Sequence, residues 1–575
     1  MRIKILKLIL LIPLFILLGA LYYVQIIRHN HYKVMSEENR LKVVSLMAPR
    51  GTIFDRSGKV LVKDVLSFNA SIIYSRVKDK TVLVEFLSKV LDLPIQKIIS
   101  KVEESKRRPY SSFCIVSDIG VDKAIYLEEI GLDYPGVLLD ISTKREYKHN
   151  KVASNILGYT GYLNSSEFYR LKQYGYRMND LIGRSGIEKY YEEYLRGTHG
   201  GKQIEVDFRG REVNVMGYKE AVSGKDIVLT IDLKLQKFCD DLLQDRQGSI
   251  IVMDSNTGEI LAMASAPSYD PNIFICSDKK EELRKVLNDN KYPLLNRAIS
   301  GMYAPGSLFK LVVGLAALEL NKINVDTVYN CPGFFSLGKF VFKCWKKVGH
   351  GNMSIKHAIK NSCNVYFYNV GLLIGVDAIS EFAKKFGFGE KTGIDLPGEK
   401  IGIVPNPIWK RKRLKESWYK GDTVNYSIGQ GYFLCTPIQL ARMIACFANK
   451  GYLVDPIIAK KVGGITLNNI RKRKLNFSSN NIDIIRDGMR KVVNGFRGTG
   501  MKAKLEDIII SGKTGTAQTP KGIDHGWFGG FAPFENAQLV VIVFDEYGGK
   551  GGSYAAETAS KVFKKAFELG FIKKI

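Results

Sequence analysis

The sequence predicts an α+β protein: an antiparallel sheet with helices packed against it, preceded by an elongated α+β segment and by one N-terminal membrane-crossing helix. Three observations predict it. Arg2, Lys4 and Lys7 precede a run without charge from Leu8 to Val24. Apolar β-type runs pair near residues 250 to 264 and again near 524 to 545, on either side of a helical middle. Helices and strands come in segregated blocks, not in strict alternation, which favours an antiparallel sheet over a parallel one.

The N-terminal run is long enough to span a bilayer. It leaves through Tyr22, Tyr23 and Gln25 into Arg28, without the small-x-small exit of a cleaved signal peptide, so it reads as a retained anchor. The cationic flank places the N-terminus in the cytoplasm and the rest of the chain outside, a single-pass arrangement with the later domains in the extracytoplasmic space. No second long apolar run is visible. Residues 1–30 form the cytoplasmic tip and anchor, and 31–225 a pedestal or dimerisation-type domain that mixes β-type runs such as Ala70 to Tyr74 with charged helical stretches. The texture changes at Ile227 to Ile231, a strand, followed by Asp232 as a helix cap and a hairpin around Asn256-Thr257-Gly258. Residues 226–575 therefore form the second, catalytic domain.

At 575 residues and 45% hydrophobic, the chain has enough apolar material for several packed domains. A net charge of +28 would suit an anionic membrane face or cell-wall polymer. Lysine is abundant throughout, however, and no aromatic-interleaved basic motif occurs, so the charge is a chain-wide lysine bias and nucleic acid is not an expected partner. Eight cysteines are too few for a dense disulfide framework in a protein of this size.

The chemistry lies in three short motifs. Ser-x-x-Lys occurs at Ser75, Ser277, Ser307, Ser336 and Ser417, but only Ser307 opens an apolar helix, Leu308 to Leu320, directly after Pro305-Gly306. Spacing of three puts Ser307 and Lys310 on one helical face. The N–H of Ser307, at the positive end of the helix, can then serve an oxyanion. Burial and a cationic neighbour would lower the Lys310 ammonium enough to make it a base. Ser362-Cys363-Asn364 offers a hydroxyl and an amide two apart, facing one cleft. Lys-Thr-Gly occurs at Lys391, in a loop context, and at Lys513, after a β-run. There Thr514 and Thr516 with Lys513 can hold a carboxylate, and Gly515 admits a substrate backbone.

Three weak motifs in this order are jointly strong, and the chain resembles the class B penicillin-binding proteins of the elongation type from anchor to C-terminus. The likeness extends to Arg50-Gly51-Thr52-Ile53-Phe54-Asp55-Arg56, Gly183-Arg184-Ser185-Gly186-Ile187-Glu188, Trp418 to Thr423, Gly429-Gln430-Gly431-Tyr432 and Trp527 to Phe531. The resemblance implies the penicillin-binding serine transpeptidase fold and a peptidoglycan D,D-transpeptidase that cross-links stem peptides during cell elongation and shape maintenance, inhibited covalently by β-lactams. It implies Ser307 as the acylated nucleophile, Lys310 as its base, Ser362 as a proton relay, and Asn364, Lys513, Thr514, Gly515 and Thr516 as substrate-binding positions. It also implies a membrane glycosyltransferase and elongation-complex proteins as partners, and no catalytic cofactor. The same motifs would serve a D,D-carboxypeptidase, a β-lactamase, or a β-lactam sensor or scaffold.

Cys331, Cys344, His350 and Cys363, separated by 13, 6 and 13 residues, form a donor set suited to structural zinc. A Cys331 to Cys344 disulfide and free thiols stand as alternatives. Four protein ligands leave no open position, so catalytic zinc is not expected.

Overall fold

The computed structural model describes residues 2–573 apart from 111, 179, 207–211, 277–278, 468–469 and 521. The Ser277 motif lies outside the described residues. The chain divides into two compact units that are discontinuous in sequence: 1–51, 64–144 and 196–224 form one, and 52–63, 145–195 and 225–575 the other. A single cut at residue 225 leaves 52–63 and 145–195 on the opposite side, because Ile53–Phe54 pairs in parallel with Ile227–Leu229, with Ile53 beside Ile227. Tyr191 likewise donates to Asp395, at 2.9 Å.

In the first unit an α-helix, Arg2–Tyr22, continues through one π-helical turn, Tyr23–Ile27. Every side chain from Leu11 to Ile27 is exposed. Leu41–Leu46, Gly200–Val206 and Glu212–Lys219 form a three-stranded antiparallel sheet. A separate small core gathers Ala70, Ile72, Leu83, Leu87, Ile98 and Ile115. The helix Lys80–Leu91 beneath it starts at Asp79, whose carboxylate accepts from the Thr81 and Val82 amides.

The second unit is built on a five-stranded antiparallel sheet in the order Ile260–Ala266, Gly248–Asp254, Leu539–Asp545, His525–Ala532, Ser511–Ala517. The middle strand, Leu-Val-Val-Ile-Val-Phe-Asp, is buried at all seven positions, as a continuous apolar run covered on both faces must be. Helices Leu233–Leu242 and Tyr554–Glu568 pack on one face and Pro437–Ala448 on the other. The last of these opens with a capping box in which Thr436 and Gln439 exchange bonds. The Ser511–Ala517 strand is an edge strand, so one side of its backbone stays available for pairing.

Among the described residues one helix, Asn364–Lys385, is by length and composition apolar enough to cross a membrane. Its place in the second unit gives it another role. Val365 to Tyr368, Val370 and Phe382 are buried, and Gly375 interrupts it at φ 78°, so it is a kinked core helix whose apolar surface faces protein.

Candidate active site

Ser307 does not sit where an apolar helix from Leu308 would put it. Gly306–Leu308 forms a 3-10 turn, and the α-helix begins at Lys310 and ends at Glu319. The reason is Gly306, at φ +55°, a left-handed conformation that cannot start a helix. A Cβ there would lie 2.5 Å from the Thr516 carbonyl oxygen. Gly429 backs the same turn: its carbonyl accepts from the Gly306 amide at 3.0 Å, and a Cβ on it would lie 2.3 Å from the Gly306 oxygen. Gly515, on the edge strand, would bring a Cβ within 2.5 Å of Leu308 Cδ1. Three glycines thus let the nucleophile turn dock directly on the edge strand. Gly306→Ala is expected to destabilise the fold by about 1–3 kcal/mol and to depress labelling of Ser307 by a penicillin, measured by thermal melting and gel fluorescence.

Docking sets the oxyanion geometry. The Ser307 N–H has no hydrogen-bond partner among the described residues. The Thr516 carbonyl accepts from Gln430 Nε2 at 3.3 Å on the open side of the strand. In an antiparallel strand a residue's N–H and C=O point the same way, so the Thr516 N–H faces the same opening. The Ser307 turn lies against Thr516, so two amides from different elements are available to an oxyanion there.

Lys310 is fully buried, and its ammonium reaches the second motif. Nζ donates to the Ser362 carbonyl at 2.9 Å, to Asn364 Oδ1 at 2.6 Å and to Ser362 Oγ at 3.4 Å. Burial pulls Lys310 down to about 8. Lys513 Nζ, also fully buried, donates to Ser362 Oγ at 3.0 Å and to the Thr514 carbonyl at 2.8 Å. Burial first, and then the Lys310 charge, push Lys513 well below the ordinary lysine range. The cationic-neighbour effect expected at Lys310 falls on Lys513 instead. Ser362, the meeting point of both lysines, is 6% exposed and held at φ +51° in the turn between helices Ile355–Lys360 and Asn364–Lys385. A non-glycine residue there stores strain that the surrounding contacts must hold.

The motifs open on a cleft of about 670 Å³ lined by Ser307, Ser362, Asn364, Thr514 and Thr516. Lys513 approaches it from below, through Ser362. Several lining residues lie outside the three catalytic motifs. Thr499, between two glycines, accepts from Thr514 Oγ1 at 3.0 Å. Gln430, inside the Gly-Gln-Gly motif, tethers the edge strand. Phe342, Lys343 and Trp345 come from a hairpin, Phe334–Leu337 with Phe340–Lys343, whose base is tied to the core helix by Asn364 Nδ2 and Tyr368 OH donating to the Lys343 carbonyl. Only the aromatic Phe342 and Trp345, on either side of Lys343-Cys344, could have marked this segment.

Cys331, Cys344, His350 and Cys363 come together beneath that hairpin, with all four donor atoms within 4.8 Å of one another. The Cys331 and Cys344 sulfurs each lie 3.5 Å from His350 Nδ1. Zinc bonds of about 2.3 Å to sulfur and 2.0 Å to nitrogen at the tetrahedral angle separate the two ligand atoms by about 3.5 Å, so the donor set fits a closed zinc site. All eight cysteines are free thiols, so the Cys331 to Cys344 disulfide is not formed. Without metal the Cys344 thiol is held low by its bond to Cys363, and Cys363 correspondingly high.

A serine on a tight turn, a buried lysine one helical turn on, and an edge strand carrying Lys-Thr-Gly-Thr define a serine acyl-transferase of the penicillin-binding class. The penicillin-binding protein transpeptidase domain matches residues 248–567, and the penicillin-binding protein dimerisation domain residues 45–229. The chain is 34% identical over 575 residues to the peptidoglycan D,D-transpeptidase MrdA of Haemophilus influenzae, covering 95% of this chain and 88% of that one. Penicillin-binding protein 2 in its complex with MreC from Helicobacter pylori superposes with a TM-score of 0.83 at 32% identity, over 92% of this chain and 100% of that one. A chain of a peptidoglycan synthase complex that coordinates polymerization and crosslinking superposes at 0.77 with 31% identity, over 100% and 99% of the two. The chain belongs to the MrdA family of peptidoglycan D,D-transpeptidases, the penicillin-binding proteins 2.

Proposed function

We propose that this chain cross-links peptidoglycan stem peptides during cell elongation through an acyl-enzyme on Ser307, with its N-terminal helix in the cytoplasmic membrane and its catalytic unit outside. The observation that carries the residue assignment is the convergence of Lys310 and Lys513 on Ser362 in the cleft beside Ser307. Lys310, as the free amine, takes the Ser307 proton as Oγ attacks the penultimate D-alanine carbonyl. The Ser307 and Thr516 amides receive the oxyanion. The Thr514 and Thr516 hydroxyls hold the terminal carboxylate, with Lys513 behind them. As the tetrahedral intermediate collapses, the C–N bond breaks and the departing D-alanine takes its proton through Ser362. An acceptor amine from a neighbouring strand then attacks the ester, forming the cross-link and returning Ser307 to its hydroxyl form.

The test is intact-mass spectrometry of the full chain in detergent after benzylpenicillin. One persistent adduct on the Ser307 peptide is expected. Rapid drug turnover would instead identify a hydrolase, and a folded protein without adduct a scaffold. The relatives in complexes with MreC and in a peptidoglycan synthase support assembly here with an MreC-like protein and a glycan polymerase.

Cys331, Cys344, His350 and Cys363 would hold a structural zinc, with Cys363 fixing the backbone between Ser362 and Asn364. Metal analysis is expected to find about one zinc per chain, and Cys344→Ser to lose it together with several kcal/mol of stability. Metal-free protein with undiminished stability and labelling would end this reading.

A further inference from the structure

Two oxidisable sulfurs adjoin the catalytic network. Cys363 lies between Ser362 and Asn364, both of which accept from the Lys310 ammonium. Cys344 directly follows Lys343, whose carbonyl accepts from Asn364 Nδ2 at 3.4 Å and from Tyr368 OH at 3.3 Å. A displacement of either cysteine therefore passes to Asn364 through one covalent or hydrogen-bonded step. The two thiols are hydrogen-bonded to each other, and with Cys331 and His350 their donor atoms stay within 4.8 Å. The segment that follows Cys344 is thin cover: Trp345 to Val348 are all exposed, Val348 at 85%. Displacing that short stretch brings a small oxidant to Cys344. His350 gives the set little support from behind. Its Nδ1 faces the sulfurs, whereas its Nε2 is buried without a hydrogen-bond partner among the described residues. A histidine that holds a metal is ordinarily fixed by a bond at its other nitrogen. The remaining thiols are poorer targets. Burial holds Cys239, Cys435 and Cys446 in the protonated, unreactive form, which leaves the exposed Cys114 and the half-buried Cys276 as competitors.

We propose that this set is a thiol-oxidation site, at which a two-electron oxidant of the hypochlorous acid class joins Cys344 to Cys363 and switches acylation of Ser307 off. The inference rests on the transpeptidase reading above, and the thiols react with or without a metal between them. One thiolate attacks the chlorine of hypochlorous acid, giving a sulfenyl chloride and hydroxide. The second thiolate attacks that sulfur, forming the S–S bond and expelling chloride. Two thiolates together lose two electrons, and one hypochlorous acid accepts them. Of the four donors only Cys331 and His350 then remain, too few to hold the structural zinc proposed above. Closing the sulfurs to about 2.05 Å draws the base of the hairpin and the Ser362–Asn364 backbone together. Lys310 thereby loses the placement of its acceptors at Ser362 and Asn364, and the general base moves off line. In the extracytoplasmic placement proposed above, no cytosolic reducing system reverses the bond at once.

The experiment treats the full chain in detergent with a small molar excess of hypochlorous acid and reads three quantities. Peptide mapping locates the disulfide, a chromogenic chelator follows zinc release, and a fluorescent penicillin gives the rate of Ser307 labelling. A Cys344 to Cys363 disulfide is expected, with loss of bound zinc and labelling slowed at least about tenfold, since a misplacement of about 1 Å costs up to about 10²-fold. Dithiothreitol with added zinc is expected to restore labelling, which oxidation of methionines would not allow. A protein carrying both Cys114→Ser and Cys276→Ser is expected to respond as the parent does. No disulfide, a disulfide that omits Cys363, undiminished labelling of the disulfide form, or a loss that dithiothreitol does not reverse overturns the proposal. Zinc-free protein before treatment ends the zinc reading alone, and the disulfide and labelling readouts still decide this one. Untreated protein that the penicillin does not label brings down the transpeptidase reading, and this inference with it.

Discussion

Ser307→Ala is expected to abolish covalent labelling by benzylpenicillin, a loss of at least about 10⁴-fold in acylation, while the protein melts within about 1 kcal/mol of the parent. The size of the loss follows from the chemistry: no other hydroxyl in the cleft combines a turn beneath it with two converging amides. Ser362, the nearest alternative, is occupied by both lysines. The mildness of the stability effect follows from the site. Ser307 is half-buried, its hydroxyl takes part in no hydrogen bond among the described residues, and the turn is held by Gly306, Gly429 and Gly515 rather than by the serine. Labelling that survives in Ser307→Ala, mapped to another peptide, would move the nucleophile elsewhere.

Lys310→Met should slow acylation by about 10²–10⁴-fold, the range of a lost general base, and should flatten its dependence on pH. Methionine nearly conserves the buried volume, so a collapse of the core does not confuse the result. In the parent the sign is fixed by which form works. The base is the free amine, and burial brings Lys310 to about 8. Acylation therefore rises with pH and levels off above about 8, and falls as the pH drops and the ammonium returns. The three acceptors around Nζ, the Ser362 carbonyl, Ser362 Oγ and Asn364 Oδ1, match an ammonium's three donors, so the resting site is organised for the charged form and must give up one of these bonds to act. A pH profile unchanged in Lys310→Met would place the base on another group.

The three motifs that meet at the cleft were legible because their logic is local. Three-residue spacing, a preceding Pro-Gly and an apolar continuation separated Ser307 from the other Ser-x-x-Lys matches. Ser75, Ser336 and Ser417 are exposed, Ser336 on the hairpin. The other Lys-Thr-Gly, at Lys391, lies in a loop where Thr392 is engaged by Glu399. The cysteine and histidine set was legible as chemistry, though not as a pattern, and its members meet across three chain segments. What the sequence hid were contacts between elements distant in the chain. Nothing local says that Gly306 lies against Thr516, that Lys513 is buried beneath Ser362, or that residues 52–63 complete the second unit by pairing with Ile227–Leu229. The helix start slipped to Lys310 for the same reason, since a left-handed Gly306 is forced by a strand two hundred residues downstream.

The glycine contacts around the nucleophile turn also bear on drug resistance. On the proposed mechanism a β-lactam and the natural donor peptide both acylate Ser307 at the same turn and beside the same two amides, so a change there cannot exclude one without harming the other. With Cβ positions closed at Gly306, Gly429 and Gly515, and Lys310, Ser362 and Lys513 locked into one buried network, selection by antibiotic has little room at the centre of the cleft. Room exists at its walls, where Lys343 and Trp345 are exposed on the hairpin and Gln518 and Asp524 stand on the loop after the edge strand. Escape variants of this protein are therefore expected to gather on those two rims, where the bulk of a drug differs from the shape of a peptide.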